Sequence, residues 1–83
     1  MQNNDMLVRI FDMKQGLSEY SNIKTIRIIS KDYNLLIMKD YMPIIGEIVG
    51  SVDIKGENTD LSYKKIKGFY MNNKNVFNLM IEE

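Results

Sequence analysis

The apolar residues of this chain are of the kind that β-strands prefer, and this feature constrains the fold most strongly. Ile is the commonest apolar residue, Val, Tyr and Phe accompany it, and Ala is absent. Branched and aromatic side chains suit a pleated, half-buried surface, whereas Ala is the strongest helix former. No long segment repeats its apolar residues at the three-to-four-residue spacing of a helix stripe. The sequence therefore predicts an all-β fold.

Turn residues divide the chain into short candidate strands at intervals of roughly ten residues. The candidates are residues 7–13, 23–30, 34–38, 51–54, 61–66, 69–71 and 76–81. This spacing predicts a small two-layer β-sandwich of about eight short, mainly antiparallel strands. With 83 residues, the chain has room for one domain, which we place at residues 1–83 with residues 1–5 as a flexible tail.

The clearest local prediction is a β-hairpin with its turn at residues 72–75, because Asn tolerates the positive φ that short hairpins require. Pro43 predicts a loop, or the start of an edge strand, in the apolar stretch from 35 to 49. Alternation within the candidate strands predicts a core that includes Ile26, Ile28, Ile37, Val52, Phe69, Phe77 and Leu79.

The residue types that are missing exclude much chemistry. The chain has no Cys and no His, so neither a Ser-His-Asp nor a Cys-His arrangement can be assembled. The five glycines are too scattered for a phosphate-binding loop, and the carboxylates are too dispersed for a calcium loop. We expect a protein that is not an enzyme and that has neither a cofactor nor a metal ion.

Charge and hydropathy restrict the partners and the location that are expected for this protein. Eleven basic residues balance eleven acidic ones, so neither nucleic acid nor direct insertion into a membrane is expected. No apolar run approaches the roughly 20 residues of a membrane span, and the polar N-terminus does not read as a signal peptide. The expected location is the cytoplasm. The one basic cluster, at residues 64–67, fits a solvated or edge-protecting strand.

The segment around Pro43 is the candidate partner-binding site, formed by Lys39, Asp40, Tyr41, Met42 and Pro43. Pro limits the freedom lost on docking, and Tyr can bury its ring while its hydroxyl finds a partner. Ile44 and Ile45, which follow, are expected to return to the core. The alternative is that Tyr41 and Met42 fold back as a lid over one open end of the sandwich.

From residue 23 to 43, and again from 68 to 79, the chain resembles the N-terminal β-sandwich domain of the epsilon subunit of F-type ATP synthase. Residues 36–43 fall on that family's Gly-Ile-Leu-Pro-Gly-His-Ala-Pro segment, and Lys67-Gly68-Phe69 falls on its Gly-Gly-Phe. The family's Pro-Gly-His is replaced by Lys39-Asp40-Tyr41, and the chain stops where the family's C-terminal helical hairpin begins.

Two classes of function follow as expectations. The resemblance implies a non-catalytic subunit or adaptor that docks onto a larger assembly such as a rotor stalk, at the periphery of a membrane complex. The alternative is a free-standing β-sandwich module that binds a ligand or nucleic acid and is unrelated to ATP synthesis, because one fold hosts many functions.

Overall fold

The computed structural model describes residues 5–82, which contain six β-strands and no helix. The strands are β1 (Met6–Asp12), β2 (Gly16–Ser30), β3 (Tyr33–Met38), β4 (Ile44–Gly56), β5 (Asp60–Asn73) and β6 (Val76–Ile81). The predicted all-β class is confirmed. Residues 1–4 of the predicted tail lie outside the described residues, whereas the Asp5 carboxylate accepts a hydrogen bond from the Lys24 Nζ at 3.0 Å.

Five of the strands close into a barrel. The hydrogen-bonded order is β1-β6-β5-β4-β2-β3, and β1 also pairs with the first half of β2. The second half of β2 lies between β4 and β3, so β3 is an additional strand outside the closed ring. All pairs are antiparallel except β1 with β6. The mainly antiparallel arrangement is confirmed, but the pairing describes a closed barrel with an extra strand, not two separate layers.

The predicted count of about eight strands was too high because Gly68 lies inside β5, which joins the candidates at 61–66 and 69–71. Gly50 likewise lies inside β4, which extends well beyond the candidate at 51–54. At each position a backbone carbonyl of the neighbouring strand approaches so closely that a Cβ would overlap it: Ile29 O at Gly50 and Met80 O at Gly68. Glycine thus permits close strand approach here. The result is two strands of 13 and 14 residues, β4 and β5, each of which was expected to be shorter.

The predicted hairpin at residues 72–75 is confirmed. Asn73 pairs with Val76, so Lys74 and Asn75 form a two-residue turn between β5 and β6. Both turn residues have positive φ, 51° and 64°, as a type I′ turn requires. This tight turn sets the register in which β5 and β6 present their side chains.

The hydrophobic core lies inside the barrel and draws on all six strands. Its buried side chains are Met6, Val8, Ile10, Ile23, Ile26, Ile28, Ile37, Ile48, Val52, Ile54, Ile66, Tyr70, Phe77, Leu79 and Ile81. Six of the seven predicted core residues belong to this set. The prediction for Phe69 was wrong: its side chain is 44% exposed, because the adjacent Tyr70 points inward and successive side chains of a strand point to opposite faces.

Candidate functional site: an outer apolar band

The five predicted partner-binding residues form the β3–β4 connection, and their exposure differs. Lys39, Asp40, Met42 and Pro43 are exposed, with Met42 at 66%. Tyr41 is half-buried against the hydrophobic core, so it covers part of the barrel interior as the lid alternative expected. Met42 does not fold back. The connection therefore combines an anchored tyrosine with an exposed apolar tip.

Two hydrogen bonds fasten this connection to the β5–β6 turn. The Asp40 backbone N–H donates to Asn75 Oδ1 at 2.6 Å, and Asn75 Nδ2 donates to Asp40 Oδ1 at 3.1 Å. Both residues have positive φ, 66° and 64°. The Asn75 carbonyl also accepts from the Leu7 N–H at 2.9 Å, which ties β1 to the same point. Asp40 is thus engaged within the fold rather than free for a partner.

A buried amide lies beneath the connection. Asn72 is 1% exposed, and its Nδ2 donates a long hydrogen bond of 3.5 Å to the Met42 carbonyl. Its Oδ1 has no hydrogen-bond partner among the described residues. A buried polar atom without a partner costs free energy. Asn72 is the one polar residue buried among the core side chains that the structure describes.

Two tyrosines meet near the start of β4: Tyr70 is buried in the core, and Tyr33 is half-buried against it. The Tyr33 hydroxyl donates to the Glu47 carbonyl at 2.6 Å and lies 3.2 Å from the Tyr70 hydroxyl. Burial, together with the hydrogen bond to Tyr33, raises the pKa of Tyr70. The Tyr70 ring stacks on Phe77 with centroids 5.6 Å apart. It also packs directly against the backbone of Gly46, where a Cβ would lie 2.5 Å from the Tyr70 hydroxyl. This packing fixes the outward side of β4 and β5.

On the outer surface, strand register places apolar side chains next to one another across four strands. Leu17 pairs with Phe11, Phe11 with Met80, and Met80 with Phe69. Directly opposed residues of the antiparallel pairs have Cβ atoms about 4.5–5.5 Å apart, and the parallel strands β1 and β6 have the usual spacing of about 4.7–4.9 Å. The row therefore forms one continuous apolar surface from β2 through β1 and β6 to β5.

A second row extends this surface towards the β3–β4 connection. Met71 follows Phe69 by two residues on the same face of β5, and it pairs with Ile45 of β4. Ile45 is 74% exposed, so the expectation that it returns to the core was wrong, whereas Ile44 does pack against the core. We call the six residues of these two rows the outer apolar band: Phe11, Leu17, Ile45, Phe69, Met71 and Met80.

The band is large for so small a protein. Its members are 43–74% exposed, and Met13 and Met42 add exposed apolar surface at its two ends. If a large apolar side chain has an area of about 200 Å², these eight residues expose roughly 900 Å². The largest apolar patch on a typical monomer covers about 300–600 Å², and one side of a standard protein–protein interface covers about 800 Å². The six band residues alone supply roughly 630 Å², at the upper limit for an ordinary monomer, and with Met13 and Met42 the exposed apolar area reaches that of one side of an interface.

Polar groups and a groove border the band. Arg9 and Glu19, which pair across β1 and β2, form an ion pair of 3.0 Å beside Phe11 and Leu17. Glu47 pairs with Phe69 and ends the first row on the β4 side. A groove of about 460 Å³ adjoins the first row and is lined by Phe11, Asp12, Met13, Gly16, Phe69, Met80, Ile81 and Glu82. An apolar centre with a charged rim is the usual composition of a protein interface.

Sequence reasoning predicted the connection but missed the band. The signal was present in β5, since strict alternation that buries Tyr70 must expose Phe69 and Met71. The rest of the band depends on the register in which β1 pairs with β6, and these two strands come from opposite ends of the chain. No local sequence pattern encodes that parallel pairing.

Within residues 5–82, no group of three or more Asp or Glu side chains is arranged to hold a metal ion, and no helix is long and apolar enough to cross a membrane. No protein-family model matches the chain, and a search of curated proteins finds no match. These comparisons give the resemblance to the ATP synthase epsilon domain no support.

Proposed function

We propose that this protein is a non-catalytic interaction domain that docks onto a larger protein assembly through its outer apolar band. The observation that carries the proposal is the cross-strand row Leu17, Phe11, Met80 and Phe69, in which four apolar side chains point outward at directly paired positions. Covering an exposed apolar surface of this extent removes it from water, which is favourable in free energy. The proposal assigns the chain no catalytic step, because His and Cys are absent from it.

The side chains of the band have the properties of interface anchors. Phe11 and Phe69 present rigid rings that bury large area with little loss of rotamer freedom, and aromatic residues and Met are enriched at interface centres. Met71 and Met80 are unbranched and adapt to the shape of an opposing surface. At about 25 cal/mol per Å², covering about 900 Å² corresponds to roughly 20 kcal/mol of gross hydrophobic free energy, from which the cost of association is subtracted.

The occupant to which this proposal commits is the apolar face of a protein subunit of the rotor-stalk kind, in keeping with the resemblance to the epsilon domain. On this proposal the chain is a diverged relative of that domain, and it docks through the outer apolar band. Met42 and Pro43 extend the contact, whereas Tyr41 and Asp40 hold the connection in place. The location is the cytoplasmic edge of a membrane complex.

The test is binding of the full chain to the purified rotor-stalk subunit from the same organism, measured by titration calorimetry. A Phe11→Ser, Phe69→Ser double variant is expected to lose at least tenfold in affinity, because both substitutions remove an aromatic ring of the kind that is enriched at interface cores. A Leu36→Ser variant, on the outer face of β3 away from the band, is the matched control and is expected to bind normally.

The result that would overturn the rotor-stalk assignment is an absence of binding by the wild-type chain. The docking role of the band is overturned separately, if the double variant binds as tightly as wild type. Melting temperatures of both variants are measured first. All substituted side chains are at least 36% exposed, so the fold should survive each change.

The groove at the end of the band favours a second candidate function, binding of a small apolar ligand by a free-standing module. Its volume of about 460 Å³ falls in the range of small-molecule sites, and its lining includes Phe11, Met13, Phe69 and Met80. A thermal-shift series with medium-chain fatty alcohols distinguishes the two functions. A rise of several degrees that Met80→Ser abolishes would favour the ligand module, and no rise would favour protein docking.

A further inference from the structure

A second groove lies on the barrel beyond the band, at an irregularity in the pairing of β4 with β5. Gly50 pairs with Ile66 and Val52 pairs with Tyr63, so one residue of β4 faces two residues of β5, Lys64 and Lys65. This is a β-bulge, a device that redirects side chains and that is over-represented beside functional sites. Its position in the middle of two long strands makes it a feature of the fold rather than of a frayed end.

The bulge changes the exposure of the two lysines. Regular alternation would turn one of two consecutive residues inward, yet Lys64 and Lys65 are both exposed. Lys65 has φ 58°, a left-handed conformation that Gly or Asn adopts with less strain. A lysine in this place is therefore unfavourable for the backbone. Strained residues of this kind cluster at binding sites, where the strain has a function.

A third lysine joins them from a different part of the chain. Lys31, in the turn between β2 and β3, is held there because its backbone N–H donates to the Val49 carbonyl at 3.0 Å. The Ser30 hydroxyl accepts from the Val49 N–H, also at 3.0 Å, and fixes the same turn against β4. Lys31, Lys64 and Lys65 line one groove of about 470 Å³. Residues 33 positions apart in sequence are thus brought to a single surface by the sheet.

The rest of the groove has a mixed character that defines its ligand. Ile29 and Val49, which are 43% and 36% exposed, contribute apolar surface between the lysines. One carboxylate, Asp53, also lines the groove, and it accepts a hydrogen bond from the Ser62 hydroxyl at 2.7 Å. Three cations against one carboxylate make the groove locally positive, although the chain as a whole is neutral.

We infer that this groove binds an extended acidic peptide segment that presents carboxylates and apolar side chains on the same face. The lysines meet the carboxylates, and Ile29 and Val49 meet the apolar side chains. A shallow, open groove favours an extended segment over a small molecule, which such a site would leave largely in water. A nucleic acid fits less well, because no aromatic side chain lines the groove for base stacking and the chain carries no net positive charge.

The inference does not depend on the proposed role of the outer apolar band, since no band residue lines this groove. It is tested on the full chain by fluorescence anisotropy with the labelled peptide Glu-Leu-Glu-Glu-Leu-Glu, at low and at physiological ionic strength. The control peptide has Gln in place of every Glu. A single-stranded oligothymidine serves as a second anionic probe.

Binding of the Glu peptide is expected to be weak, and to weaken further as salt screens the lysines. The triple variant Lys31→Gln, Lys64→Gln, Lys65→Gln is expected to lose roughly 3- to 100-fold in affinity, because each exposed charge contact is worth about 1.5- to 5-fold. Lys74→Gln is the matched control. Lys74 also has positive φ, 51°, but it lies in the β5–β6 turn, away from the groove.

Three outcomes would overturn the inference: no anisotropy change with the Glu peptide up to millimolar concentration, equal binding of the Gln peptide, or tighter binding of the oligothymidine. An equal loss in Lys74→Gln and in the single variant Lys65→Gln would also overturn it, since each removes one charge at a residue with positive φ and the effect would then be net charge alone. Amide chemical-shift changes with the Glu peptide are expected at residues 29–31, 49–53 and 63–65. Changes confined to other residues would place the site elsewhere.

Discussion

Replacing Phe77 with alanine tests the assignment of inward and outward faces in the barrel, because Phe69 on the adjacent strand offers the same substitution on the opposite face. Phe77 is fully buried and stacks on Tyr70 at 5.6 Å, whereas Phe69 is 44% exposed. Deleting the buried ring removes about 150 Å² of apolar contact, or roughly 4 kcal/mol at 25 cal/mol per Å². Together with the cavity left behind, the expected loss for Phe77→Ala is about 3–5 kcal/mol.

Phe69→Ala should cost much less, about 1–2 kcal/mol, because nearly half of the ring is already in water and solvent fills the space that it leaves. The assay is urea unfolding of the three proteins followed by tyrosine fluorescence and circular dichroism, since the chain has no Trp. A domain of this size is stabilised by roughly 5–10 kcal/mol, so Phe77→Ala should be barely folded. If the two variants differ by less than about 1 kcal/mol, the assignment of faces is wrong.

Three further predictions concern the barrel interior. Gly46→Ala is expected to lower the free energy of unfolding by about 1–3 kcal/mol in urea titrations, because the new Cβ would overlap the Tyr70 ring, and an unchanged midpoint would contradict that packing. Asn72→Leu should raise the melting temperature by a few degrees by removing the unpaired buried Oδ1, and a fall would show that the bond to Met42 matters more. Because the pKa of Tyr70 is raised in the folded state, the contribution of Tyr70 to the free energy of unfolding is complete below pH 10 and is lost as the pH rises above 10. Tyr70→Phe should therefore make stability fall less steeply at alkaline pH. An identical fall in the variant and the wild type would refute this.

Local patterns in the sequence predicted the parts of the fold that depend on neighbouring residues. The 76–81 strand and the turn at Lys74 and Asn75 follow from alternation next to residues that tolerate positive φ. Barrel closure depends instead on β1 lying parallel to β6. That pairing joins residues about 70 positions apart, and neither strand carries a local mark of it. Glycine was also ambiguous, since Gly50 and Gly68 read as strand boundaries although they permit close approach inside strands.

The candidate site was predicted in part for the same reason. An apolar tip beside Pro43 is visible in the sequence, and Met42 is indeed exposed there. The adjoining band is visible only after strand pairing, because Phe11, Met80 and Phe69 come from three strands. The grouping of Lys31 with Lys64 and Lys65 likewise depends on a β-bulge. The two lysines are visible in the sequence, but the left-handed φ of Lys65 is not.

The most direct test of the central claim is photo-crosslinking in the cells that carry the gene, with benzoylphenylalanine placed at Phe69 in the band or at Glu57 in the β4–β5 turn. Both positions are exposed, but Glu57 lies at the far end of the hairpin from Phe69. If the outer apolar band is a docking face, irradiation should join the Phe69→benzoylphenylalanine chain to one protein subunit and leave the Glu57 variant uncrosslinked. Equal crosslinking at both positions, or none at Phe69, would contradict the account.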